Sequence, residues 1–398
     1  MAPPDDPRPE TSAGRGGAHE LVDGRVSLER CVAALRGARR LYLDAEFEAS
    51  REGTRLSLVQ VSAGERVWLL DAQRLTAVDG VRQVFAGADE WVLHAAREDV
   101  ALLSRWLGLR ETPALFDTQV AWALLGPEAN VSLAYLVYRV LGARTSKAHQ
   151  TDDWARRPLP APQLAYAAAD VVHLPAIREQ LGARLVALGR LAAVAAASRE
   201  AVAPEPEPQP RLRVEDFRNA WQLDAYGQAA LRFLVEWYAA LDASERSEAP
   251  DQKTLLAIAA RLPETAEDLA RIKGVSRRWA ARRGESLCAA VLRATARVGA
   301  EAAPPPLEPP PYATYEELRQ EAWLAGLRAA LCERAGVAPE VALPPRWMRR
   351  LRERLRERGS IAEPGELLEG WRLDVLGPCW RECVVARQAG LAAERAAP

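Results

Sequence analysis

The chain is expected to fold as an α/β sheet domain followed by two all-helical domains. Three observations point there. Short β-rich runs cluster between residues 40 and 70, helical periodicity takes over after residue 117, and two proline-rich stretches divide the remainder of the chain. Residues 201–210 (AVAPEPEPQP) and 301–311 (EAAPPPLEPPP) can form neither a helix interior nor a central strand, so both read as extended spacers. They leave a leader over 1–20, a mixed domain over 21–200, and helical domains over 211–300 and 312–398, each of ordinary domain size.

Taking the elements in order, residues 40–47, 55–62 and 66–70 are β-rich runs separated by glycine turns at Glu52-Gly53 and Ala63-Gly64, the pattern of a three-strand meander. Residues 78–85 are expected to be helical, 91–94 a short buried strand, and 98–107 an amphipathic helix stopped by Gly108. Apolar residues then recur at three- and four-residue spacing over 118–125, 132–141 and 161–197. A meander followed by strand–helix alternation is the mark of an α/β sheet. The two later segments are periodic in Leu, Ala and Trp and hold no convincing strand. Thr265 is a candidate N-cap and Lys273-Gly274-Val275 a turn. Similar lengths after similar spacers suggest a duplication.

Composition narrows the chemistry. Apolar content of 49% and charged content of 27% are those of a soluble globular chain. No apolar run approaches the roughly 20 residues needed to span a bilayer, and the first 20 residues lack an apolar signal-peptide core, so the cytoplasm is the expected compartment. The five cysteines are scattered without a C-x-x-C pair, which argues against a disulfide framework or zinc ribbon. Four histidines with no H-E-x-x-H leave oxygen as the donor for any metal, favouring magnesium or manganese. No phosphate-loop or dinucleotide-binding glycine motif is present. The net charge of −1 hides a local excess: Arg271, Lys273, Arg277, Arg278, Arg282 and Arg283 fall within fourteen residues that contain no acid.

The acids carry the chemistry. In Leu43-Asp44-Ala45-Glu46-Phe47 two carboxylates at i and i+2 leave the same face of a strand. Like charges that close are tolerated when a cation neutralises them. Tyr166 and Asp170, four apart in a helical stretch, share one helix face, and Asp99 opens another helix. Plainer readings exist for each: a solvated strand end, a core tyrosine, an acid favoured by a helix dipole. His94 as a lone histidine suits packing or hydrogen bonding, and the basic run suits a solvated face. Together, Asp44, Glu46, Asp99 and Asp170 with Tyr166 read as a two-metal phosphodiesterase site.

The combination resembles the DEDD superfamily of 3′–5′ exonucleases and, within it, the ribonuclease D family. The first motif matches Asp44-Ala45-Glu46, the second His94-Ala95-Ala96-Arg97-Glu98-Asp99, and the third, of the Tyr-x-x-x-Asp subtype, Tyr166-Ala167-Ala168-Ala169-Asp170. Phe116-Asp117-Thr118-Gln119 and residues 153–159 (DWARRPL) look like the family's connecting segments. The segments at 211–300 and 312–398 resemble HRDC domains, the first through 255–262 and Ile272-Lys273-Gly274-Val275, the second through Gly370-Trp371-Arg372. Ala45 stands where the first motif usually has Thr, and the loop 147–153 keeps Lys147 but departs otherwise.

The resemblance implies a ribonuclease H-like mixed-sheet exonuclease domain followed by two HRDC-like domains. It implies two divalent ions, Mg2+ or Mn2+, held by Asp44, Glu46, Asp99 and Asp170, with Tyr166 orienting the attacking water. The expected activity is a 3′–5′ exoribonuclease that trims tRNA precursors and other structured RNAs to release nucleoside 5′-monophosphates. His94, Lys147 and the six basic residues of 271–283 are the expected RNA contacts. A monomer, with no membrane partner, is expected. A DNA 3′–5′ exonuclease and a non-catalytic RNA-binding adaptor are the alternatives.

Overall fold

The computed structural model describes residues 18–50, 53–145, 152–203, 212–296, 298, 306–309, 312, 314–358 and 363–396. Lys147 lies outside these residues, as do most of both proline-rich stretches. The chain divides into two compact units: residues 1–203 together with 318–398, and residues 204–317.

The first unit is built on a six-stranded mixed sheet in the order β1-β4-β3-β2-β5-β6. Its strands are β1 (His19–Val22), β2 (Arg40–Ser50), β3 (Gly53–Ser62), β4 (Val67–Asp71), β5 (Glu90–Leu93) and β6 (Ala114–Asp117). The meander β2-β3-β4 pairs antiparallel, while β1 joins β4, β5 joins β2 and β6 joins β5 in parallel. Helices cover both faces. Beneath one lie α1 (Arg25–Leu35), α2 (Asp79–Gly87) and α3 (Arg97–Leu107), packed on Leu41, Leu43, Val59, Val61 and Trp91. Over the other lie α4 (Thr118–Ala123), α5 (Leu133–Leu141), α6 (Ala161–Val172), α7 (Leu174–Ala187) and α8 (Leu191–Val202), packed on Tyr42, Leu58, Leu69, Val92 and Phe116. A strand buried on both faces reads as a continuous apolar run, which is why β4 carries the sequence VWLLD with every residue buried.

Two expectations change. Residues 1–20 are expected to be a leader, yet β1 begins at His19, because its parallel pairing with β4 covers that edge. The segment 312–398, expected as a separate domain, continues the core of the first unit from Leu318 onward. Its helices α14 (Tyr315–Ala335), α15 (Pro339–Ala342), α16 (Pro345–Arg358) and α17 (Trp371–Ala396) bury Leu327, Leu331, Leu351, Leu376 and Trp380 in the same cluster as α4–α8. A buried polar joint fixes them. Arg372, 3% exposed, donates to Glu200 of α8 at 2.5 Å and to the carbonyls of Ala342 and Val341, and its guanidinium lies over the rings of Trp371 and Trp347. Burial, reinforced by Arg346 nearby, lowers its pKa to about 9 against the opposing charge of Glu369.

The regular elements of the second unit are helices: α9 (Ala225–Ala240), α10 (Ala243–Glu248), α11 (Gln252–Arg261), α12 (Ala266–Ala270) and α13 (Arg277–Thr295) enclose Leu231, Leu234, Leu255, Ile258, Leu269 and Val291. Thr265 caps α12 as expected, accepting from the Asp268 N–H. The turn before α13 needs Gly274, which sits at φ +99° where any Cβ would collide with the Thr254 hydroxyl.

Removing Glu200 leaves the buried Arg372 charge without its ion-pair partner. Glu200→Ala is therefore expected to lower the unfolding free energy by about 3 kcal/mol, measured by urea denaturation. A change under about 0.5 kcal/mol, the size of an ordinary surface substitution, would contradict this role for Glu200.

Candidate active site

Strand alternation splits β2 between two cores. Leu41, Leu43 and Ala45 point to the α1–α3 side, so Tyr42, Asp44 and Glu46 point to the α6 side. Immediately past Glu46 the β2–β3 register slips: Glu46 pairs with Leu58 and Phe47 with Leu56, leaving Ser57 as an extra residue in β3. Above this point runs α6. It presses Ala167, Ala168 and Val171 onto the sheet, and side chains this small let the helix approach closely enough for its next face to reach the acids.

Asp44, Glu46 and Asp170 each bring a carboxylate oxygen to a common point, all within 4.8 Å of one another. Asp99, near the start of α3 and 7% exposed, lines the same cleft with Tyr166 and His94, a space of about 670 Å³. The sequence set of four acids and a tyrosine is thus brought together.

The electrostatics are those of charge crowded into a poorly hydrated place. Burial, then Asp99, Asp170 and Glu46, holds the Asp44 carboxyl well above the usual carboxylate range. Burial, with Asp170 and Asp99, pushes Glu46 up to about 8. Burial, then Asp117 and Glu98, raises Asp99 to about 7. Burial raises Asp170 to about 6 against a hydrogen bond from Tyr166 that favours its charged form. Burial and the same acids raise the Tyr166 phenol, so it stays protonated throughout the neutral range. A hard divalent cation fits this donor set: every donor is oxygen, and the positive charge would relieve every one of these shifts. Directly opposite Asp44 in the β2–β3 ladder, Gln60 is fully buried with neither amide atom bonded among the described residues.

The surrounding frame is tied down by specific bonds. Trp154 is buried with its ring 6.3 Å from that of Tyr166. Its carbonyl accepts from Arg157, which also grips Asp71 of β4 at 2.6 and 2.9 Å and the Ser57 carbonyl at 2.9 Å. The extra residue of β3 thus receives the clamp that holds the 153–159 run. His94 has both ring nitrogens engaged, Nδ1 with the Thr118 hydroxyl at 2.9 Å and Nε2 with the Val131 carbonyl at 3.0 Å. It therefore meets the cleft as a fixed ring rather than a free donor.

The basic run is less uniform than its sequence suggests. Arg271 pairs with Glu267 and Asp268, Arg282 with Glu248 and Arg283 with Glu245, all from outside the run. Lys273, Arg277 and Arg278 are exposed and have no ion pair among the described residues. Sequence reasoning also missed Asp117, whose buried carboxylate accepts the backbone N–H groups of Ala95, Ala96 and Gln119. An acid at a helix start was visible in Asp117-Thr118-Gln119, but its reach across to Ala95 and Ala96 was not.

The four raised carboxyls make ion-free stability depend on pH. An unfolded carboxyl titrates near 4, whereas Asp170, Asp99 and Glu46 hold their protons to about 6, 7 and 8. The native state therefore binds more protons than the unfolded one across that window, and stability falls as pH rises from about 4 to 8. Calorimetry in EDTA should show a lower Tm at pH 8 than at pH 5.5, with Mn2+ restoring most of the difference. A flat or rising profile would contradict the crowding.

The 3′–5′ exonuclease family model matches residues 20–186, and the HRDC domain model matches residues 250–291. The chain is 33% identical to ribonuclease D of Gluconacetobacter diazotrophicus over 90% of this chain and 90% of that one. It is 32% identical to ribonuclease D of Pseudomonas paraeruginosa over 84% of this chain and 90% of that one. The crystal structure of Escherichia coli RNase D, described as an exoribonuclease involved in structured RNA processing, matches with a TM-score of 0.69 at 24% identity. The match covers 92% of this chain and 99% of that one, and bears on the fold. With the exonuclease fold, the gathered acids and relatives of this length and identity, the chain belongs to the ribonuclease D family.

Proposed function

We propose that this protein is a metal-dependent 3′–5′ exoribonuclease that hydrolyses structured RNA 3′ ends, tRNA precursors among them, releasing nucleoside 5′-monophosphates. The observation that carries the reading is the convergence of Asp44, Glu46 and Asp170 within 4.8 Å beside Tyr166. Relatives called ribonuclease D support RNA as the polymer.

Asp44, Glu46 and Asp170 would hold one divalent ion, Mg2+ or Mn2+, and Asp44 with Asp99 a second. When bound, the ions supply Lewis acidity to the phosphodiester and activate the water that attacks it. The chain's residues do the rest. Tyr166 keeps its proton at neutral pH, so its hydroxyl orients the incoming water and does not act as the base. Asp170 accepts from that hydroxyl and fixes its direction. Trp154 holds the phenol ring in place, and His94 forms a rigid wall. Lys273, Arg277 and Arg278 supply phosphate contacts from the HRDC module, with Arg271, Arg282 and Arg283 secondary because each is already paired. Lys147 belongs to the proposed RNA-contacting set, and the protein acts as a cytoplasmic monomer.

The direct test is a time course on matched 3′-tailed RNA and DNA with Mn2+. Stepwise shortening of RNA is expected, reduced more than about 100-fold in Asp44→Asn and Asp170→Asn, since loss of even an outer-shell partner costs 10–100-fold. Tyr166→Phe should retain cleavage reduced about 10- to 100-fold, below the full effect of losing an acid–base group. Shortening that survives both carboxylate substitutions, or EDTA, would overturn the mechanism, and trimming of DNA alone would overturn the substrate assignment. Separately, Arg277→Gln with Arg278→Gln should make the salt dependence of RNA binding shallower by a log–log slope of about 1.4, roughly 0.7 per lost phosphate contact. An unchanged slope would remove these arginines from the interface.

A further inference from the structure

Between β5 and α3 the chain makes a tight turn, His94-Ala95-Ala96, that decides where Asp99 sits. Ala95 adopts φ +56°, a left-handed conformation that residues with a Cβ rarely take. Ala96, at the N-cap of α3, has no capping side chain. The compensation comes from the neighbouring strand. Because β5 and β6 run parallel with Leu93 opposite Asp117, the Asp117 carboxylate lies beside this turn. Oδ1 accepts from the Ala95 N–H at 3.0 Å and Oδ2 from the Ala96 N–H at 2.9 Å, while Oδ1 also caps α4 through Gln119 at 2.8 Å. Asp117 is 3% exposed, and its own N–H donates to the buried Ser198 hydroxyl of α8 at 3.0 Å.

We propose that Asp117 is a positioning residue for the hydrolytic site: by bonding both N–H groups of the strained turn, it fixes the His94–Asp99 segment so that Asp99 meets the other acids. Asp117 does not line the cleft and does not join the Asp44–Glu46–Asp170 cluster. The two bonds by which it holds the segment are both to backbone N–H groups. The placement carries an electrostatic cost, since a second negative charge is set near Asp99, and a neutral side chain would avoid that cost if helix capping were the only task. The two oxygens facing separate N–H donors explain why a carboxylate is needed: an amide would turn an NH2 toward one of them. This proposal rests on Asp99 serving the ion site.

The test is Asp117→Asn in the full chain, with and without Ala95→Gly. The expected result is a kcat 10- to 100-fold lower, in the range of outer-shell losses at metal sites, and a similar weakening of Mn2+ binding by titration calorimetry, while KM for RNA moves less than about threefold. Ala95→Gly added to Asp117→Asn should recover about 5- to 30-fold, because glycine enters the left-handed region without the penalty that alanine meets. Wild-type kcat and Mn2+ affinity in Asp117→Asn, even with a lowered Tm, would overturn the proposal, as would a defect that Ala95→Gly does not relieve. Should Asp117→Asn fail to fold, hydrogen exchange in the wild type decides. The Ala95 and Ala96 amides should be strongly protected, and free exchange at both would overturn it. Asp99→Asn, assayed alongside, separates the two levels. If it is inactive while Asp117→Asn is normal, only the positioning role fails; if it is fully active, the ion reading at Asp99 fails first.

Discussion

Desolvation of partly buried carboxylates, with the repulsion that crowding adds, is the constraint around which the first unit is arranged. Asp44 and Glu46 come from β2, Asp99 from the start of α3 and Asp170 from α6, so three elements must deliver like charge to one cleft. Each acid holds its proton harder than a free carboxyl would, which means the cluster costs stability unless positive charge arrives. A fold keeps such a feature when the charge arrives in function, and a site for hard divalent cations is the natural outcome of the same crowding.

Holding the acids against that repulsion requires stiffness on every side, and each backing element is a specific bond set. Arg157 joins the 153–159 run to Asp71 and to the extra residue of β3, which keeps Trp154 against Tyr166. Asp117 secures the turn before Asp99. The helix α8 that carries Ser198 beneath Asp117 also carries Glu200, which anchors Arg372 of the C-terminal helices. The segment 318–398 is thereby structural to the catalytic unit, sharing its core and bonding to α8.

Much of this was legible in the chain. The carboxylate pair on β2, the Tyr166–Asp170 spacing and the helix at Asp99 all come from short-range periodicity, and so do the meander and most helix limits. The features that escaped depended on long-range partners. Strand β1 is four residues whose strand character comes from pairing with β4, and β6 is four residues whose neighbour lies on β5. The C-terminal helices looked like a second copy of the helical module because the two helical segments have similar lengths and follow similar proline-rich spacers. Only burial against α4–α8 distinguishes them, and a lone Arg in Gly370-Trp371-Arg372 gives no sign that its partner is Glu200. The basic run looked like one patch because the acids that pair with Arg282 and Arg283, Glu248 and Glu245, lie more than thirty residues away. Asp117 stood only within the connecting segment Phe116-Asp117-Thr118-Gln119, and its cross-strand bonds need the parallel register to be known.

The central claim, that the clustered acids are a divalent-ion site, is most directly tested by anomalous diffraction from a crystal soaked in Mn2+. A peak bounded by Asp44, Glu46 and Asp170, with any second peak on the Asp44–Asp99 side, is the expected result. A fully soaked crystal with no peak in this cleft, or with manganese bound only elsewhere on the chain, would contradict it.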